Sequence, residues 1–160
     1  MTSCDTNVLF GMVNADSPGH VAITAFMQQH RSDQRFLLCE QVLTELYCLL
    51  RNPVVTQRPL DAVDAVALIQ RFRTNPAWRV VDVPGEARIM DKVWQDARRQ
   101  GLAYRRIFDL RLAATLRHHG VRYFATRNIR DFTDLGFERV WDPTGNGSVT
   151  TFLAVHKTRR

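Results

Sequence analysis

Lysine is nearly missing from this sequence: of 22 basic residues only Lys92 and Lys157 are lysine, and arginine supplies the rest. Acidic residues are outnumbered, leaving a net charge of +6. Guanidinium forks match phosphate geometry and stack on bases, so this balance favours a polyanionic partner such as nucleic acid. Genome composition or a scattered solvated surface gives the same count, so motifs have to decide. Cysteine is scarce as well. Cys4, Cys39 and Cys48 are odd in number and include no Cys-x-x-Cys pair, which offers neither a disulfide framework nor a zinc or thiol-redox motif. All three are expected as buried small hydrophobes. No apolar run approaches the roughly 18 residues that span a bilayer, and the opening MTSCDTN lacks the basic-then-apolar order of a secretory signal. The expected location is the cytoplasm, with no membrane partner. Internal repeats and low-complexity segments are also absent.

What the sequence does contain is alternation. A chain of 160 residues suits one domain with its own core. Strands are expected just before Asp5, over Phe36 to Cys39, Trp78 to Val83, Val121 to Ala125 and Glu138 to Trp141. Between them lie helical patterns. One opens at Ser17-Pro18 and runs to about His30, and a second occupies EQVLTELYCLLRNP and stops before Pro53. A third opens at Pro59, Asp61 and Asp64, whose carboxylates suit its N-terminal end, and breaks at Asn75-Pro76. A fourth covers Glu86 to Gln100. Strands alternating with helices of this length indicate an α/β fold with a mostly parallel central sheet flanked by helices on both faces. The domain is expected over residues 1–143. Residues 144–160 are expected as a tail, with Gly145 to Ser148 as linker and Phe152 to Val155 forming a brief strand or docking elsewhere.

The stretch RRIFDLRLAATLRHHGVRYFATRNIRDF, Arg105 to Phe132, organises the rest. Asp109 opens a helix whose Leu112, Ala113 and Leu116 share a face, and Gly120 stops it after His118 and His119. Adjacent helical histidines point about 100° apart, so a helix C-terminus explains them better than a metal does. The strand Val121 to Ala125 delivers Thr126, Asn128 and Asp131 just beyond its C-terminal end, where open α/β sheets bind ligands. Asp5 stands in the same relation to the first strand, although taken alone it serves as well to cap the next turn. Glu45 lies inside a strongly apolar helix and either faces outward or has a charged partner.

Asp5, Glu45 and Asp109 come from separate strand-helix units but converge on one sheet edge. Like charges that close raise one another's pKa, so such a cluster persists best around a cation. Oxygen ligands without imidazole or thiolate suit magnesium, or manganese, rather than zinc. A basic surface around an acidic metal pocket is the combination a phosphodiesterase of nucleic acid needs. Arg105, Arg106, Arg127 and Arg130 are candidate phosphate contacts, each an ordinary surface arginine when taken singly.

The order DTN, a Glu in an apolar helix, FDLRLAATLRHHGV and then ATRNIRDF resembles the PIN-domain ribonucleases, most closely the VapC-type toxins of toxin-antitoxin systems. The resemblance runs from Met1 to Pro143. It implies a magnesium-dependent endoribonuclease with Asp5 and Asp109 as metal ligands, Glu45 completing the acidic cluster, and Asn128 as a fourth catalytic position supported by Asn7 and Thr126. The family often carries an Asp where this chain has Asn128. Asp131, one helical turn later, either compensates for that charge or caps the following turn. The resemblance further implies an RNA substrate, a structured one such as transfer RNA, together with a small cognate antitoxin and a toxin homodimer. Two other readings are a PIN-like RNA-binding or assembly module that does not cleave, and a DNA nuclease. A complete acidic set disfavours the first, because a binding module gains nothing from negative charge facing phosphates. The short chain disfavours the second.

Overall fold

The computed structural model describes residues 1–83, 85 and 87–150. Six strands form one sheet in the order β3-β2-β1-β4-β5-β6. They are β1 (Thr2–Cys4), β2 (Phe36–Cys39), β3 (Arg79–Val81), β4 (Tyr123–Ala125), β5 (Arg139–Trp141) and β6 (Ser148–Thr150). The first five are parallel, and β6 pairs antiparallel with β5. All four residues of β2 are buried, as are Ser3 and Cys4 of β1. Successive strand residues point to opposite faces, so helices must cover both sides of the sheet centre.

The helices are α1 (Thr6–Val13), α2 (His20–Gln29), α3 (Glu40–Arg51), α4 (Ala62–Arg73), α5 (Ala87–Ala97), α6 (Arg106–His118) and α7 (Ile129–Phe132). Helix α1 packs on both α2 and α3, α3 packs on α4, and α5, α6 and α7 form a second group. Asp61 caps α4 by accepting from the Asp64 N–H at 2.8 Å. Helix α6 ends in a glycine turn: Gly120 adopts φ 82°, its N–H reaches the Arg117 carbonyl, and the Val121 N–H reaches the Leu116 carbonyl. Both bonds satisfy carbonyls the helix itself leaves open, and the positive φ explains the glycine. Beneath this turn Phe124 stacks on Phe137 with ring centres 4.8 Å apart and leans on Phe132 at 4.6 Å.

Two expectations need correction, and one element, helix α1, was not foreseen. It starts at Thr6 because the Asp5 side chain accepts from the Thr6 N–H, which nucleates a turn directly after β1. The sheet also continues past Pro143: Ser148, expected at the end of a linker, instead begins β6 and pairs with Trp141. The strand expected at Phe152 to Val155 lies outside the described residues. Cys4 and Cys39 are buried as expected, but Cys48 is exposed, on the outer side of α3. No helix among the described residues is long and apolar enough to cross a membrane.

Candidate active site

The strand order reverses between β1 and β4, so the loops leaving these two neighbours diverge and open a crevice at the sheet's C-terminal edge. Asp5 follows β1 and Thr126 follows β4. The backbones are pinned together there, since the Asp5 N–H donates to the Ala125 carbonyl at 2.9 Å. The buried Thr126 hydroxyl donates to Asp5 Oδ2 at 2.7 Å. Asn7 Nδ2 donates to the same oxygen at 2.7 Å and to Thr126 Oγ1 at 3.2 Å. Asp5 Oδ1 takes the Thr6 N–H at 2.7 Å. Asp5 therefore both caps α1 and faces the crevice, so the two readings of this residue are compatible. Burial, helped by the charges of Glu45 and Asp109, pushes its carboxyl up to about 6 against the pull of the Thr126 and Thr6 donors.

Glu45 is half-buried and held on both sides. Its Oε2 accepts from Thr6 Oγ1 at 2.9 Å, and its Oε1 accepts from Gln41 Nε2 at 3.0 Å. Asp109 lies in the first turn of α6, where the helix dipole favours a carboxylate. Its carboxyl is raised by partial burial, with Asp131 and Glu45 adding to the rise and Arg106 opposing it. Arg106, only 17% exposed at its side chain, meets Asp109 Oδ2 at 3.2 Å, Asp134 Oδ1 at 3.0 Å and Asp131 Oδ1 at 3.7 Å, and donates to the Asp131 carbonyl. Its donors are thus engaged in internal pairs, which distinguishes it from the exposed Arg105, Arg127 and Arg130. Arg127 reaches the site only through its backbone, whose N–H donates to Asn7 Oδ1 at 3.1 Å.

Asn128 is exposed at the rim, and its N–H donates to Thr126 Oγ1 at 3.0 Å. Asp131 is exposed in α7 and pairs with Arg106. Sequence reading passed over Thr6, Gln41 and Asp134. Gln41 had a signal, because it precedes Glu45 by four residues and so stands on the same helix face. Thr6 had only its adjacency to Asp5. Asp134 had none, since its role depends on how the loop after α7 folds back.

Three carboxylates supply hard oxygen donors without thiolate or imidazole, and a cation would relieve the strain that raises the buried Asp5 carboxyl. By donor chemistry Asp5, Glu45 and Asp109 fit a hard divalent ion. Among the described residues no three acidic, His or Cys side chains are drawn into direct chelating distance in this conformation.

Asp5 after β1, Glu45 of α3 and Asp109 of α6 thus border an acidic crevice at the switch point of the sheet's five parallel strands. No protein-family model matches the sequence. The chain is 50% identical over 143 residues to ribonuclease VapC24 of Mycobacterium tuberculosis, in strains CDC 1551 / Oshkosh and ATCC 25618 / H37Rv, covering 89% of this chain and 97% of that protein. It belongs to the VapC-type PIN-domain ribonucleases. Solved structures share the fold at lower identity. The M. tuberculosis VapC20 toxin, described as cleaving the sarcin-ricin loop, superimposes with a TM-score of 0.64 at 19% identity, covering 86% of this chain and 96% of that one. FitAcB from Neisseria gonorrhoeae gives 0.61 at 20% identity, covering 89% and 98%. FitAB bound to an IR36 DNA fragment gives 0.61 at 18% identity, covering 92% and 98%.

Proposed function

We propose that this ribonuclease is the toxin of a type II toxin-antitoxin pair, a magnesium-dependent endoribonuclease that hydrolyses phosphodiester bonds in a structured RNA such as transfer RNA. One observation carries the reading: Asp5, Glu45 and Asp109, drawn from three separate elements, border one crevice, where Thr6 donates its N–H to the buried Asp5 at 2.7 Å and its hydroxyl to Glu45 at 2.9 Å. A carboxylate kept buried suits a site that binds positive charge. Asp5, Glu45 and Asp109 would hold the ion, and magnesium or manganese bound there would lower the pKa of water and offset charge on the phosphate.

The chain's own groups supply the rest. Thr6, Asn7 and Thr126 hold Asp5 ionised and oriented, and Glu45 or Asp109 orients the attacking water. Arg105, Arg127 and Arg130 are exposed around the crevice and bind the flanking phosphates. Asn128 stands at the rim as a neutral contact. The reading includes a small cognate antitoxin and a toxin homodimer, as the family resemblance implies, and a cytoplasmic location. Among the structural neighbours, VapC20 is a sarcin-ricin loop cleaving toxin and FitAB is seen bound to a DNA fragment, which supports a nucleic-acid context for the fold.

The test is incubation of the purified protein with total RNA, in magnesium and in EDTA, beside Asp109→Asn. Discrete fragments that require magnesium and vanish in the variant support the reading. Intact RNA under all conditions, with folded protein, contradicts it.

A further inference from the structure

Hydrogen bonds, completed by the peptide link from Phe108 to Asp109, connect the positions of the three carboxylates, and the member that bridges α3 to α6 is an amide. Gln41 lies in the first turn of α3 and is 8% exposed. Its Nε2 uses both hydrogens: one goes to Glu45 Oε1 at 3.0 Å, the other to the backbone carbonyl of Phe108 at 3.0 Å. Phe108 immediately precedes Asp109 in α6. On the other side of Glu45, Thr6 Oγ1 holds Oε2 at 2.9 Å, and Thr6 immediately follows Asp5. The sequence of links is therefore Asp5, Thr6, Glu45, Gln41, Phe108 and Asp109, crossing α1, α3 and α6.

The partners of Gln41 are both acceptors, so the amide can sit only one way round. That orientation leaves its Oε1 buried with no hydrogen-bond partner. An unpaired buried amide oxygen destabilises the fold. A purely apolar contact between α3 and α6 would be cheaper, so stability does not account for a glutamine here. Charge does. A Lys or Arg in this place would neutralise Glu45 and compete with a bound cation, whereas a carboxylate would repel it. A neutral double donor can tether Glu45 to the Asp109 turn while leaving the net charge of the pocket untouched.

We infer that Gln41 is a positioning residue: it fixes the Glu45 side chain and ties it to the turn that carries Asp109, so that these two carboxylates close together on a divalent cation when one binds. The inference rests on the nuclease reading above. Groups that orient metal-holding side chains typically change affinity or activity by about 10- to 100-fold when removed.

The experiment compares the wild-type chain with Gln41→Met, which keeps length and apolar packing but has no N–H, and with Gln41→Glu, which keeps the shape. Three quantities are measured: Mn2+ affinity by electron paramagnetic resonance, kcat and KM for RNA at saturating Mn2+, and the unfolding temperature. Gln41→Met is expected to bind Mn2+ about tenfold more weakly and to lose kcat by about 10- to 100-fold, with KM for RNA unchanged and melting little altered. Gln41→Glu is expected to lose kcat similarly, and decides the matter if the Met variant does not fold. Wild-type Mn2+ affinity and kcat in a folded Gln41→Met, or wild-type kcat in Gln41→Glu should the Met variant not fold, would overturn the positioning role, whatever the change in melting. A wild-type protein that neither binds Mn2+ nor cleaves RNA would instead overturn the nuclease reading on which this one rests.

Discussion

The Thr126 hydroxyl donates to Asp5 Oδ2 at 2.7 Å, joining the ends of two neighbouring strands that are 121 residues apart in the chain. A hydrogen bond to a charged group contributes about 1.5 to 3 kcal/mol, and here it opposes the burial that drives the Asp5 carboxyl upward. Thr126→Val keeps the shape but removes the donor. Its Asp5 should titrate higher, so the acid limb of the cleavage pH profile should move to higher pH, while Thr126→Ser leaves it in place. Rate profiles from pH 5 to 8 for the three proteins check this.

Asp5 also makes the metal-free protein's stability depend on pH in an unusual direction. Its carboxyl rises from 3.8 to about 6 on folding. The folded state therefore binds the proton more tightly, so this contribution is fully present below about pH 4 and is lost as pH rises through about 6. A shift of that size corresponds to about 2 to 3 kcal/mol. Urea unfolding in EDTA at pH 4 and pH 7 should show wild type losing ground to Asp5→Asn by an amount of that order between the two conditions. The partly buried Asp109 is raised as well, but it is present in both proteins and cancels.

Arg106 should behave differently from its neighbour. Arg106→Ala strips Asp109 of its cation, and the protein is expected to lose roughly 1 to 2 kcal/mol, with little from Asp131 and Asp134 because both are well exposed. Arg105→Ala should leave melting unchanged and weaken RNA binding, with a smaller dependence of affinity on salt. Thermal unfolding and RNA binding across a salt series separate the two arginines.

Phe124 lies between Phe132 and Phe137, one residue from Ala125 and two from Thr126. Phe124→Ala should cost about 3 to 5 kcal/mol through lost burial and the cavity left behind. Chemical denaturation measures it.

The strands and their order of succession were legible in the sequence because fully buried parallel strands read as short apolar runs, as Phe36 to Cys39 does. Asp5, Glu45 and Asp109 were legible because each sits beside such a run or inside a periodic helix. What escaped were features made by tertiary contact or by turn chemistry. Helix α1 follows β1 with no Gly or Pro between them, and its cap, Asp5, is the same carboxylate that faces the crevice, so the DTN run reads as a site as readily as a helix start. Gln41 looks like an ordinary polar residue in a helix until α6 brings the Phe108 carbonyl to it. Arg106 reads as one of many surface arginines, and only the return of the chain at Asp131 and Asp134 makes it an internal counter-ion. Ser148 to Thr150 follow a Gly-rich stretch that resembles a linker, yet the Gly145 and Gly147 backbones, at φ 89° and 140°, turn the chain back onto β5.

The claim that Asp5, Glu45 and Asp109 act as one cation-holding nuclease centre is tested most directly by Mn2+ titration of the metal-free protein, followed by electron paramagnetic resonance. The same preparations are then assayed on RNA. Wild type should take up Mn2+ saturably, and Asp5→Asn and Asp109→Asn should each bind it at least about tenfold more weakly, with cleavage falling in parallel. Equal Mn2+ uptake by all three proteins, or cleavage undiminished in EDTA, would contradict it.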